Sequence, residues 1–84
     1  MVRRKVLEVL DSTRAEFAEG TDLPALEDDT VLLESGLDSL GFAVVVTELE
    51  DRLGFDPFSE AETPYYPQTV REFVDFYEKA AAAR

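Results

Sequence analysis

Apolar residues recur at helical spacing along three separate stretches of this chain, and that repetition restricts it to packed helices. Val2, Val6, Val9, Leu10, Thr13 and Phe17 form one stripe, predicting a helix from Val2 to about Ala18. Leu40, Ala43, Val46, Leu49, Arg52 and Leu53 form a second, predicting a helix from Asp38 or Ser39 to Leu53 and Gly54. Val70, Phe73, Val74 and Tyr77 form a third, opened by the capping-box pattern of Thr69 and Glu72. A helix with one apolar face must bury it against another element. The predicted fold is therefore all-α, a small antiparallel bundle of three main helices plus a short fourth.

The segments between the stripes are read from their turn residues. Gly20 stands where a C-cap for the first helix belongs. Pro24 and the acids Glu27, Asp28 and Asp29 argue against regular structure in the long connection that follows. Val31, Leu32 and Leu33 are expected to pin that loop onto the core. Residues 54–68 hold Pro57, Pro64 and Pro67, and Ser59 is expected to cap a single turn through Glu62. The run Val44-Val45-Val46 is β-branched and on its own would suit a strand. The helical period continues through Leu53 to a closing Gly54, which decides for helix. The tail Ala80–Ala83 is expected to fray.

Composition excludes more than it assigns. There is no Cys and no His. That removes disulfides, thiolate nucleophiles, zinc–thiolate sites and the usual general base. No Asp-x-Asp-x-Asp-Gly loop appears, so a calcium site has poor support, and no metal is expected. Nineteen acids against eight bases give a net charge of −11, a poor match for nucleic acid and a good one for basic protein surfaces. Met1-Val2-Arg3-Arg4-Lys5 is basic, but no long apolar segment follows, and no run reaches membrane-spanning length. The expectation is one domain over residues 1–84: cytoplasmic, monomeric, not an enzyme, and without nucleic-acid or membrane partners.

Ser39 is the residue placed for chemistry. It sits where Gly36-Leu37-Asp38-Ser39-Leu40 gives way to a helix. A serine without a base is a poor nucleophile. In the first turn of a helix its hydroxyl is exposed beside unpaired backbone N–H groups, which favour an attached phosphodiester. Asp38 next to it suits the positive helix end as an N-cap.

Leu32-Leu33-Glu34-Ser35-Gly36-Leu37-Asp38-Ser39-Leu40, followed by an acid-rich helix, resembles the acyl carrier protein family. Length, acidity, helix order and the long first loop agree along nearly the whole chain. The resemblance implies that Ser39, within Asp38-Ser39-Leu40, carries 4′-phosphopantetheine added from coenzyme A by a phosphopantetheinyl transferase. The thiol of that arm would hold acyl groups as thioesters. Two roles are then open to Asp38: helix cap, or help in binding the transferase's metal ion. The resemblance also implies an acyl- or aminoacyl-loading ligase or transferase, and synthase enzymes with basic docking surfaces. The pathways implied are fatty-acid, polyketide or lipopeptide-type biosynthesis, antibiotics among their products.

Placing Ala43, Val46, Leu49 and Leu53 inward leaves Glu48, Glu50 and Asp51 outward, with Glu34 and Asp38 at the helix start. These acids are expected to form a negative docking surface near Ser39. Exposed ion pairs there would be worth roughly 0.2–1 kcal/mol each, weak enough for release after each transfer. Val44 stands where many family members have an acid, and Phe42 is expected to be partly exposed unless it tucks inward. With Leu40 these make the docking surface part apolar. Gly41 loosens the first turn by up to about 1 kcal/mol relative to Ala. Pro57-Phe58 and Pro64-Tyr65-Tyr66-Pro67 are unusually aromatic for a region that, in the family, walls a groove an attached chain can enter. At least one of the two tyrosines is expected to cover the core. Together these departures suggest a specialised pathway.

Two other readings remain at this stage. One is an aminoacyl or peptidyl carrier, although such carriers usually show Gly-Gly before the motif. The other is an interaction module whose serine is never modified. A chain beginning at Met1 and filling one domain favours a discrete protein.

Overall fold

The structure, a computed structural model, describes residues 2–17, 25–61 and 65–84. Expectations resting on Ala18, Gly20, Pro24, Glu62 and Pro64 lie outside the described residues. Four helices occur among those described: α1 (Val2–Phe17), α2 (Ser39–Leu53), α3 (Pro57–Glu60) and α4 (Val70–Ala82). The all-α bundle read from the sequence is what the chain forms. α1 packs against both α2 and α4, while α2 and α4 approach each other less closely and aromatic rings fill the space between. None of these helices is long and apolar enough to cross a membrane.

Local signals set the helix ends. The Asp38 carboxylate accepts from the Gly41 N–H at 2.8 Å and starts α2. Gly54 ends it with φ +85°, a left-handed conformation that costs glycine nothing. Thr69 and Glu72 close the capping box of α4. α3 begins one turn earlier than expected. Asp56, not Ser59, is its cap, accepting from the Phe58 N–H at 2.9 Å, and Pro57 occupies the first turn. The alanine tail does not fray where expected. α4 runs to Ala82, because Ala80 and Ala81 still pack on the core.

The core joins Val6, Val9 and Leu10 of α1 to Val45 and Leu49 of α2, and to Val70, Phe73, Val74 and Tyr77 of α4. Among the described residues of the connecting loop, Leu32 and Leu37 enter it and Leu26 packs against it, while Val31 and Leu33 are exposed. A 3-10 turn over Leu32–Glu34 points consecutive side chains in different directions, so the trio cannot all turn inward. The loop is stitched to the start of α4. The Leu32 N–H donates to the Gln68 carbonyl at 2.8 Å, and the Val70 N–H donates to the Thr30 carbonyl at 3.0 Å. Asp28 binds Arg3 of α1 at 2.8 Å and lies 3.7 Å from Arg71 of α4. These bonds hold in place the chain that leads to Ser39.

α2 turns a different face inward from the one expected. Gly41, Val45 and Leu49, spaced four apart, are buried. Ala43 is exposed, and Val46 and Leu53 are only half-buried. Apolar residues surround most of this helix, so periodicity alone did not fix which stripe α1 would cover.

Candidate functional site

Ser39 is the first residue of α2 and is exposed. Among the described residues its hydroxyl makes no hydrogen bond. Asp38 caps the Gly41 N–H, and the Phe42 N–H reaches the Asp38 carbonyl at 2.9 Å. The N–H groups of Ser39 and Leu40 precede any intrahelical partner and stay open at the helix mouth. One oxygen of the Asp38 carboxylate is used by the cap, and the residue is otherwise exposed.

The approach to Ser39 is fixed from behind by a residue that sequence reasoning missed. Arg14 of α1 is only 4% exposed. Its guanidinium donates to the Ser35 carbonyl at 3.2 Å and to Asp11 at 2.9 Å. The Ser35 hydroxyl donates to the Leu32 carbonyl at 2.6 Å, closing the turn from within. Gly36 then takes φ +103°, and Leu37 drops into the core at 2% exposure. Asp38 and Ser39 are thereby delivered to the surface. The available signal was an arginine four residues after Leu10, on the buried stripe itself.

Ser39 also borders a cavity of about 400 Å³ with chiefly apolar walls. Leu32, Leu33, Phe42, Val46, Phe58, Tyr65, Tyr66 and Pro67 complete its lining. Phe42 has turned toward this groove and away from a docking face. Its ring lies 6.1 Å from Phe58 and 5.4 Å from Phe73. Val46, expected in the core, is a wall. Tyr65 leans on Phe76 at 4.7 Å, but Phe76 is only half-buried and stands outside the core, and Tyr65 is exposed, so this tyrosine does not cover the core as expected. Tyr66 is 82% exposed at the rim.

The residues expected to meet partners separate into groups. At 100° per residue, Leu40, Val44, Glu48 and Asp51 share one side of α2. A shallow depression along it is lined by Ala43, Val44, Thr47, Glu48, Asp51 and Arg52. Glu50 faces about 100° away from Asp51. Glu48 is half-buried and pairs with Arg52 at 3.2 Å, so it is less free than expected. Glu34 is exposed on the turn before Ser39. The acids of α2 lie about 14–18 Å along the helix from Ser39. The surface next to the serine is apolar instead, with Leu33 58% and Leu40 66% exposed.

An acidic helical bundle that presents a serine hydroxyl at a helix mouth, beside an apolar groove, has the form of a carrier. Comparison with protein families matches residues 11–61, more than half of the chain, to the phosphopantetheine attachment site family. The chain belongs to that family, carrier proteins of the acyl-carrier type, whose domain is the attachment site for a covalent phosphopantetheine group. Comparison with curated proteins and with solved structures finds no match. The helix mouth fits the group: it offers an unpartnered, exposed serine oxygen and two open N–H groups for a phosphodiester.

Proposed function

We propose that Ser39 is the attachment point for 4′-phosphopantetheine and that residues 1–84 act as one acyl-carrier unit without catalytic activity of its own. The observation that carries this is the exposed Ser39 hydroxyl, first in α2 and on the lip of an apolar cavity. When bound, the arm supplies a thiol that holds cargo as a thioester. The chain's own residues do the rest. Asp38 and Leu40 frame the serine, and Asp38 orders the first turn of α2 through the Gly41 N–H. The open N–H groups of Ser39 and Leu40 face a phosphate. The groove shelters apolar cargo from water, an environment that suits an acyl chain better than an aminoacyl ammonium.

Partners are expected to read α2. Leu40 and Val44 supply apolar contact, and Glu48, Asp51, Glu50 and Glu34 supply charge to basic surfaces. Those partners are a phosphopantetheinyl transferase, a loading enzyme and the synthase enzymes of a specialised fatty-acid, polyketide or lipopeptide-type pathway. The apolar surface at Leu33, Leu40 and Tyr66 supports a dedicated partner set.

The test is direct. The purified protein is incubated with coenzyme A and a broad-range transferase, and its intact mass is measured. A gain equal to the arm, absent in Ser39→Ala, is the expected result. No gain with several transferases would leave an unmodified interaction module as the better reading.

A further inference from the structure

A ring that lines the groove beside Ser39 packs on a buried tyrosine. Phe58 lines the groove and lies 6.0 Å from the Tyr77 ring, edge to face. Phe42, also in the lining, packs on Phe73, which lies 5.0 Å from Tyr77. The partition between the groove and Tyr77 is therefore one aromatic ring thick. Tyr77 is fully buried, and among the described residues its hydroxyl has no hydrogen-bond partner. A buried phenol is ordinarily satisfied, because leaving it unpaired is costly. A phenylalanine there would keep the packing without that cost.

We infer that the Tyr77 hydroxyl is a hydrogen-bond donor kept for an oxygen on the tethered chain, so that the carrier favours ketone-bearing acyl cargo over plain alkyl cargo. This rests on the carrier reading above and deepens it. A chain leaving Ser39 along α2 passes Phe42 and Val46 and meets Phe58. Displacing that ring brings the chain to Tyr77. α2 and α4 are separated here by side chains and not by close backbone packing. Burial, with the carboxylates of Asp56 and Glu50 nearby, pushes the phenol's ionisation upward, so the group stays protonated and donates. A ketone oxygen accepts; a saturated chain offers no acceptor and leaves the hydroxyl as it was.

The protein and its Tyr77→Phe variant are each loaded by a broad-range transferase from octanoyl-coenzyme A. The same is done from three analogues bearing one ketone, at the third, fifth or seventh carbon of the chain. Intact mass verifies loading, and thermal unfolding is measured for each product. At least one ketone chain is expected to raise Tm above the octanoyl form by roughly 4–8 °C, an excess that disappears in Tyr77→Phe. The Tyr77 Cζ resonance of the unaltered protein is expected to move with that ketone chain and not with octanoyl. Absence of any excess, an excess kept in Tyr77→Phe, or a resonance indifferent to the ketone overturns the inference while the carrier reading stands. Absence of a mass gain overturns both.

Discussion

Removing the Asp38 side chain separates two functions that the helix mouth combines. The carboxylate accepts from the Gly41 N–H at 2.8 Å, so Asp38→Ala deletes the cap of the helix that carries Ser39. An N-cap lost to alanine costs about 0.5–2 kcal/mol. In a domain of this size about 1 kcal/mol shifts Tm by roughly 4–8 °C. Asp38→Asn keeps an oxygen in the capping position and gives up only the charge at the helix end, at about 0.3–1 kcal/mol. The expected order of Tm is therefore wild type, then Asn, then Ala, with Asn nearer wild type. Phosphopantetheine transfer, followed by intact mass, reads the second function. The carboxylate oxygen not used by the cap is available to a transferase's metal ion, and a neutral amide replaces it poorly. Asp38→Asn should then keep most of its stability and still be modified slowly. Asn as unstable as Ala would refute the capping argument. Asn modified at the wild-type rate would reduce Asp38 to a cap.

Three further outcomes follow from the packing and the charges. Leu49→Ala empties a fully buried site where α2 meets the core and should cost about 2–5 kcal/mol by urea unfolding, a large share of a small domain's stability. Reversing the exposed Glu50 and Asp51 to Lys should leave Tm nearly unchanged while slowing transfer by a partner, most of all at low salt; equal loss of both would make these acids structural. The hydrogen bond from Arg3 holds the Asp28 carboxyl below its ordinary 3.8, and the N–H groups of Gln68 and Thr69 hold Glu72 below its ordinary 4.5. Because both are depressed in the folded protein, their stabilisation is complete above those ordinary values and is lost as pH falls through the folded ones. Tm should be level at higher pH and drop in acid, and Asp28→Asn with Glu72→Gln should flatten that drop.

The pairing of Asp28 with Arg3 and Arg71 has a purpose within the site. It fixes the loop to α1 and α4 together, and the loop brings Leu32 and Leu33 to the groove. Asp28 thus anchors the loop four residues before Leu32, the first of its residues in the apolar wall beside Ser39.

Helix starts and stops were legible because each is decided within about one turn of chain. Asp38 before Gly41, Thr69 before Glu72, and Gly54 after Leu53 act through bonds between near neighbours. The serine at a helix mouth was legible for the same reason, and the family with it. Ser59 misled because Asp56, a stronger cap, stood next to Pro57. What lay beyond local reach was orientation. α2 carries Leu40, Phe42, Ala43, Val44, Val45, Val46, Leu49 and Leu53, apolar residues around much of its circumference. Only the position of α1 buried Gly41, Val45 and Leu49, left Leu40 to solvent and turned Phe42 to the groove. The burial of Arg14 and the burial of Tyr77, whose hydroxyl is unpaired among the described residues, were likewise decided by neighbours distant in sequence. A hydrogen bond across a turn is written in adjacent residues, whereas the face a helix buries is chosen by whatever packs against it.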